Sequence, residues 1–128
     1  WKPGAEVAFR GDRELLWRAL ENLLRNALRH TDPERGVVLS LDTERSNRRI
    51  VMTVRDYGCG VPEAELEKIF EPFYRVQESR DRISGGHGLG LSIAANAARR
   101  HGGNIRADNA EEGGLIVRIT LPATPQAG

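Results

Sequence analysis

With one cysteine in 128 residues, the chain has no partner for an internal disulfide, and its single thiol fits a reducing compartment. It lacks any run of about 18 apolar residues and any signal-peptide pattern, so the sequence is expected neither to span a membrane as a helix nor to direct its own export. Excess charge is missing too. The 19 Lys and Arg against 18 Asp and Glu leave a net charge of +1, which gives no bulk pull toward nucleic acid or an acidic membrane. No internal repeat or low-complexity segment occurs. What remains is ordinary for a soluble globular protein, with 39% hydrophobic and 29% charged residues. The length suits one domain with a proper core, expected over 1–122 with a frayed tail at 123–128. A first residue Trp1 rather than Met suggests a piece of something longer.

Chemistry concentrates in a few stretches. Gly85-Gly86-His87-Gly88-Leu89-Gly90-Leu91-Ser92-Ile93 opens into a small-residue run that reads as a helix, the pattern of a phosphate cradle. Glycine lets the backbone approach a ligand closely, and the first helical turn offers unpaired N–H groups and a positive dipole end. A plain helix entry would use the same glycines. Two other stretches add weight: Glu21-Asn22-Leu23-Leu24-Arg25-Asn26-Ala27 and Asp56-Tyr57-Gly58-Cys59-Gly60.

In chain order, Val7 and Phe9 suit a short edge strand before Gly11. Asp12 is placed to cap a helix, with Glu14 in its first turn and Leu16, Ala19, Leu20, Leu23, Leu24 and Ala27 at helical spacing. Asn22, Asn26 and Arg29, at i, i+4 and i+7, line one stripe beside that apolar face. Asparagine is a mediocre helix former, and two of them a turn apart need a reason beyond propensity. Thr31-Asp32-Pro33 ends the helix. Alternation from Val37 to Asp42 and from Ile50 to Arg55 predicts an antiparallel hairpin with one face on a core. Asp56 sits at the exit of its second strand. Pro62-Glu63-Ala64-Glu65 starts a short helix. Phe70, Phe73 and Tyr74 form an aromatic cluster compatible with a core or a site, and the polar segment Val76 to Gly86, with Arg80 and Arg82, suits a loop closing over an anion or plain solvated charge. A second long helix from Leu89 stops at Gly102-Gly103. Strands at Ile105–Asn109 and Leu115–Leu121 follow, joined by a turn at Glu111–Gly114.

Asn22-Leu23-Leu24-Arg25-Asn26-Ala27, Asp56-Tyr57-Gly58-Cys59-Gly60, Phe70-Glu71-Pro72-Phe73-Tyr74 and Gly86-His87-Gly88-Leu89-Gly90-Leu91 resemble, in order and spacing, the N, G1, F and G2 boxes of sensor histidine kinases. The similarity runs from about Val7 to Leu121. Arg80-Asp81-Arg82 with Phe73-Tyr74-Arg75 is most similar to the CpxA-type envelope-stress branch. The resemblance implies an α/β fold (an α+β two-layer sandwich) of the Bergerat type: a mixed, mostly antiparallel sheet backed by about three helices, with a mobile ATP lid. It implies that Asn26 binds Mg²⁺ with Asn22 beside it and that Asp56 accepts the adenine amino group. Gly58, Gly60 and Val61 would shape the base pocket, and His30 would stand near the adenine. Phe70, Tyr74 and Arg75 would border the nucleotide. Gly86, His87, Gly88, Leu89 and Gly90 would line the phosphates and hinge the lid. Asn26, Arg29 and Arg82 would be the catalytic group, Arg29 approaching the phosphates.

The chemistry suits these roles. Mg²⁺ keeps waters and shares phosphate oxygens, so neutral amide oxygens suffice where the triphosphate brings the charge. A carboxylate facing an exocyclic amine selects adenine, because guanine would turn a carbonyl toward the anion. Two departures from the family pattern stand out. His87 replaces a small hydroxyl residue, and no histidine here is followed by an acidic residue: Thr31, Gly88 and Gly102 follow His30, His87 and His101.

The implied function is therefore transfer of the ATP γ-phosphoryl to a histidine on a dimerisation domain outside the chain, with a response regulator downstream. No nucleic acid or direct membrane contact is expected, and the isolated domain is expected to be monomeric and cytoplasmic, as part of an inner-membrane sensor. Two alternatives remain: an ATP hydrolase of the same superfamily with Glu21 as water-activating base, and a non-catalytic, nucleotide-gated interaction module.

Overall fold

The structure is a computed structural model and describes residues 11–44, 48–74 and 90–122. Helix α1 spans Arg13–His30, starting where Asp12 accepts a hydrogen bond from the Leu15 N–H and ending at Thr31, whose N–H returns to the Ala27 carbonyl. Strands β1 (Val38–Glu44) and β2 (Arg49–Arg55) form the expected hairpin. Helix α2 spans Gly90–Arg100, followed by β3 (Asn104–Asn109) and β4 (Leu115–Pro122). The strand expected near Val7 and the loop from Val76 to Gly86 lie outside the described residues, as does 123–128.

The four strands pair in the order β1-β2-β4-β3, and every described pairing is antiparallel. Strict alternation puts Leu115, Val117, Ile119 and Leu121 of β4 on the covered face, with Val54 of β2 opposite Val117. Against them lie α1 and α2, whose buried residues are nearly all alanine: Ala19 and Ala27 with Leu23 on α1, and Ala94, Ala95, Ala97 and Ala98 on α2. Methyl-sized side chains let two helix backbones approach closely and form one layer over the sheet. The two-layer α/β sandwich is thus borne out.

Two details differ from expectation. The helix expected from Pro62 is two 3₁₀ turns, Glu63–Glu65 and Lys68–Phe70, so the described residues hold two α-helices rather than about three. Pro62 precedes the first turn, and neither turn has a capping side chain. The hairpin does not bury a full apolar face either. Leu39 and Leu41 are 41% and 57% exposed, because β1 is the edge strand and the helices lie over β2, β4 and β3. In the sheet, β4 inserts between β2 and β3, so the last described strand is central.

Candidate functional site

Three segments far apart in sequence meet along one side of α1. Its polar stripe, Asn22, Asn26 and Arg29, flanks the buried Ala19, Leu23 and Ala27. Asn22 donates through Nδ2 to the Arg18 carbonyl at 2.7 Å, which orients its amide. Its Oδ1 faces the start of α2, 3.5 Å from where a Cβ on Gly90 would stand. Asn26 is half-buried, and among the described residues no hydrogen bond holds its amide, so that oxygen is open to a ligand. Arg29 and His30 are exposed.

The C-terminal end of α1 is fastened to the turn that follows β2. Thr31 donates through Oγ1 to the Gly36 carbonyl at 2.6 Å and accepts the Tyr57 N–H at 2.8 Å. A Cβ on Gly58 would stand 2.2 Å from the His30 carbonyl oxygen, so no other residue fits this approach. The Tyr57 ring carries two cations, with the Arg35 guanidinium 4.1 Å and the Arg55 guanidinium 4.5 Å from its centroid. This brings the G1-like stretch against the N-box-like helix.

Asp56 is 3% exposed. Its Oδ1 accepts two backbone N–H groups, from Gly58 at 2.9 Å and from Leu115 at 3.1 Å, while its own N–H donates to the Leu115 carbonyl at 3.0 Å. One carboxylate oxygen is therefore fixed by the fold. Among the described residues, Oδ2 takes no hydrogen bond and stays available to an N–H donor from a ligand. Gly60 follows with φ 74°, and Val61 is held by both ends of the Asn109 amide.

Not every candidate joins this cluster. Phe70 is 8% exposed and belongs to the hydrophobic core. Tyr74 packs half-buried against that core, and its hydroxyl donates to Glu65; that bond, then burial, then the negative charge of Glu65 and Glu71, push its pKa up to about 12. Arg75, Arg82, Gly86, His87, Gly88 and Leu89 lie outside the described residues. Glu21 is tied to Arg25 at 2.7 Å and lies roughly 140° around the helix from Asn26. Sequence reasoning passed over Thr31, Arg35, Arg55 and Asn109. Only Asn109, a polar side chain at a strand end before a glycine turn, carried a local signal.

The donor set suits a magnesium nucleotide. Among the described residues no group of His, Cys, Asp or Glu could hold a metal by itself, so a cation here would depend on amide oxygens and on phosphate.

Comparisons with known proteins identify the family and the fold. The family model for histidine kinase-, DNA gyrase B- and HSP90-like ATPases matches residues 11–125. Sensor histidine kinase WalK of Bacillus subtilis (strain 168) is 38% identical over 121 residues, covering 94% of this chain and 20% of that protein. Sensor histidine kinase CpxA of Escherichia coli (strain K12) is 44% identical over 112 residues, covering 88% and 24%. The solved mycobacterial sensor histidine kinase MprB superposes with a TM-score of 0.80 at 32% identity, over 92% of this chain and 78% of that one. The chain spans only a fifth to a quarter of the length of these curated relatives. No described helix is long and apolar enough to cross a membrane.

Proposed function

The chain belongs to the histidine kinase-, DNA gyrase B- and HSP90-like ATPase family, as an ATP-binding catalytic domain of the sensor-kinase type, and from that premise we propose that it holds Mg·ATP between the Asn22–Asn26–Arg29 stripe and the Asp56 turn. It would then transfer the γ-phosphoryl to a histidine of a dimerisation and phosphotransfer domain in the same full-length kinase, on the cytoplasmic side of the membrane, and a response regulator would receive the phosphoryl group from there. The carrying observation is the split role of the Asp56 carboxylate, with Oδ1 fixed by two backbone N–H groups and Oδ2 left for an exocyclic amine.

Each residue has a distinct task. Asp56 accepts the adenine amino group and disfavours guanine. Gly58 and Gly60 let the turn close beside the base without side chains in the way. Asn26, with Asn22 beside it, offers amide oxygens to the cation, and Arg29 places positive charge near the phosphates. The bound nucleotide and Mg²⁺ supply the transferable phosphoryl group and its counter-charge; the protein supplies position and electrostatics. A hydrolase would need a water-activating base on this stripe. Glu21 is turned away and paired with Arg25, which favours the kinase reading.

Calorimetric titration tests this. Wild type should bind ATP with Mg²⁺ and prefer it to GTP. Asp56→Asn, which sets an N–H₂ against the adenine amine, should weaken ATP by about 1.5–3 kcal/mol. Unchanged affinity would overturn the adenine assignment. Asn26→Ala should abolish the Mg²⁺ dependence while keeping part of the adenine binding, and equal loss of both would overturn the metal assignment.

A further inference from the structure

The β3–β4 hairpin has no place in the site as the boxes define it, yet it touches the Asp56 turn at every step. The Leu115 carbonyl accepts the Asp56 N–H, the Leu115 N–H donates to Asp56 Oδ1, and a Cβ on Gly114 would stand 2.1 Å from the Asp56 carbonyl oxygen. One side chain reaches further. Asn109, the last residue of β3, accepts the Val61 N–H at 2.9 Å through Oδ1 and donates to the Val61 carbonyl at 2.6 Å through Nδ2. A primary amide here does what a neighbouring strand does in a sheet, satisfying donor and acceptor of one residue together. The approach is so close that a Cβ on Gly60 would stand 2.6 Å from Asn109 Oδ1.

We infer that Asn109 is a positioning residue for the adenine site, clamping Gly60-Val61 so that the turn keeps its width between Asp56 and the base. The inference rests on the adenine reading given above and extends it to a residue 48 positions away. The physical need is plain. Gly60 sits in the left-handed region and is flanked by another glycine two residues earlier, so the segment has high conformational freedom when nothing holds it. No other described side chain bonds Val61. The amide offers a donor and an acceptor on separate atoms; aspartate keeps the acceptor alone and alanine keeps neither. Asn109 itself does not need to touch nucleotide. It sets the free-state population of a turn already shaped for adenine, and the apparent affinity falls by the fraction of time the turn is open.

The test pairs ligand-free hydrogen exchange at the Val61 amide with ATP and GTP titrations of the whole chain. Asn109→Ala, shown to be folded by circular dichroism, should speed Val61 exchange, weaken ATP about tenfold and reduce the ATP-over-GTP preference. Asn109→Asp should fall between, and it serves alone if the alanine variant does not fold. Arg106→Ala, exposed on the same strand, should change none of these. Faster Val61 exchange with unchanged ATP affinity, or no change in exchange at all, overturns the inference while leaving the adenine assignment intact. A wild type that binds GTP as well as ATP overturns the adenine assignment and the inference with it.

Discussion

Gly58 and Tyr74 show how much depends on single atoms. At Gly58 an added methyl would stand 2.2 Å from the His30 carbonyl oxygen and 3.0 Å from its carbon, and both obstacles are backbone. Gly58→Ala should therefore cost about 1–3 kcal/mol of stability in denaturant unfolding, besides displacing the Asp56 turn from α1. An unchanged midpoint would mean that the turn and helix separate freely. At Tyr74 the hydrogen bond to Glu65 favours the neutral phenol, raising its pKa from 10.0 to about 12. A folded-state pKa above the unfolded one contributes stability that is complete below pH 10 and lost as the pH climbs toward about 12. Tyrosinate absorbance should thus show a late-titrating group that Tyr74→Phe removes, leaving Tyr57; a phenol lost from the variant that had titrated near the ordinary value of 10.0 would refute the bond. Single residues were unevenly legible in the sequence. Asp56 stood out because a strand exit followed by two glycines is a local pattern. Thr31 did not, because its partner Tyr57 lies 26 residues away; Asn109 stands out only as a polar residue before a glycine turn, which does not name Val61, 48 residues away, as its partner.

Elements were more legible than their assembly. The helical spacing of Leu16 to Ala27, the Asp12 cap and the Gly102-Gly103 stop marked both helices, and period-two alternation marked four strands. Sheet order was not legible, since β4 takes its central place through pairings with β2 and β3 that no local pattern encodes. The open β1 face has the same origin: Leu39 and Leu41 alternate as core residues do, but whether a helix covers them depends on where α1 and α2 settle. That placement is set by alanines. Ala95 is 0% exposed in the layer where α2 meets α1 and the sheet, so Ala95→Leu must push elements apart. About 1–3 kcal/mol of destabilisation is expected. A larger effect on ATP affinity than on unfolding would show that α2 carries the phosphate side with it, whereas a variant as stable as wild type would contradict the close helix packing.

For the whole molecule, the question is whether one chain can be both kinase and substrate. Its histidines argue against it. His101 closes the C-terminal end of α2, with Nδ1 directed to the Ala97 carbonyl at 2.8 Å and Nε2 accepting the Asp12 N–H at 2.9 Å. Both ring nitrogens are occupied, and they tie the end of α2 to the start of α1, away from the proposed phosphates at the other end of α2. His30 is exposed but belongs to the helix end that abuts Gly58, on the base side of the site. His87 belongs to the glycine stretch itself. In-line transfer requires an acceptor nitrogen about 3–3.5 Å from phosphorus, opposite the leaving oxygen, and a residue in the proposed phosphate cradle would be poorly placed for that. Incubated with γ-labelled ATP, the isolated chain should accordingly form no acid-labile phosphohistidine. Adding the proposed partner, a helical phosphotransfer domain, as a separate molecule should restore labelling on that domain, though slowly. Separation forfeits the effective concentration that a short linker provides, on the order of millimolar. Label on His87 in the isolated chain would make it a self-contained kinase and overturn the division between catalytic and acceptor domains.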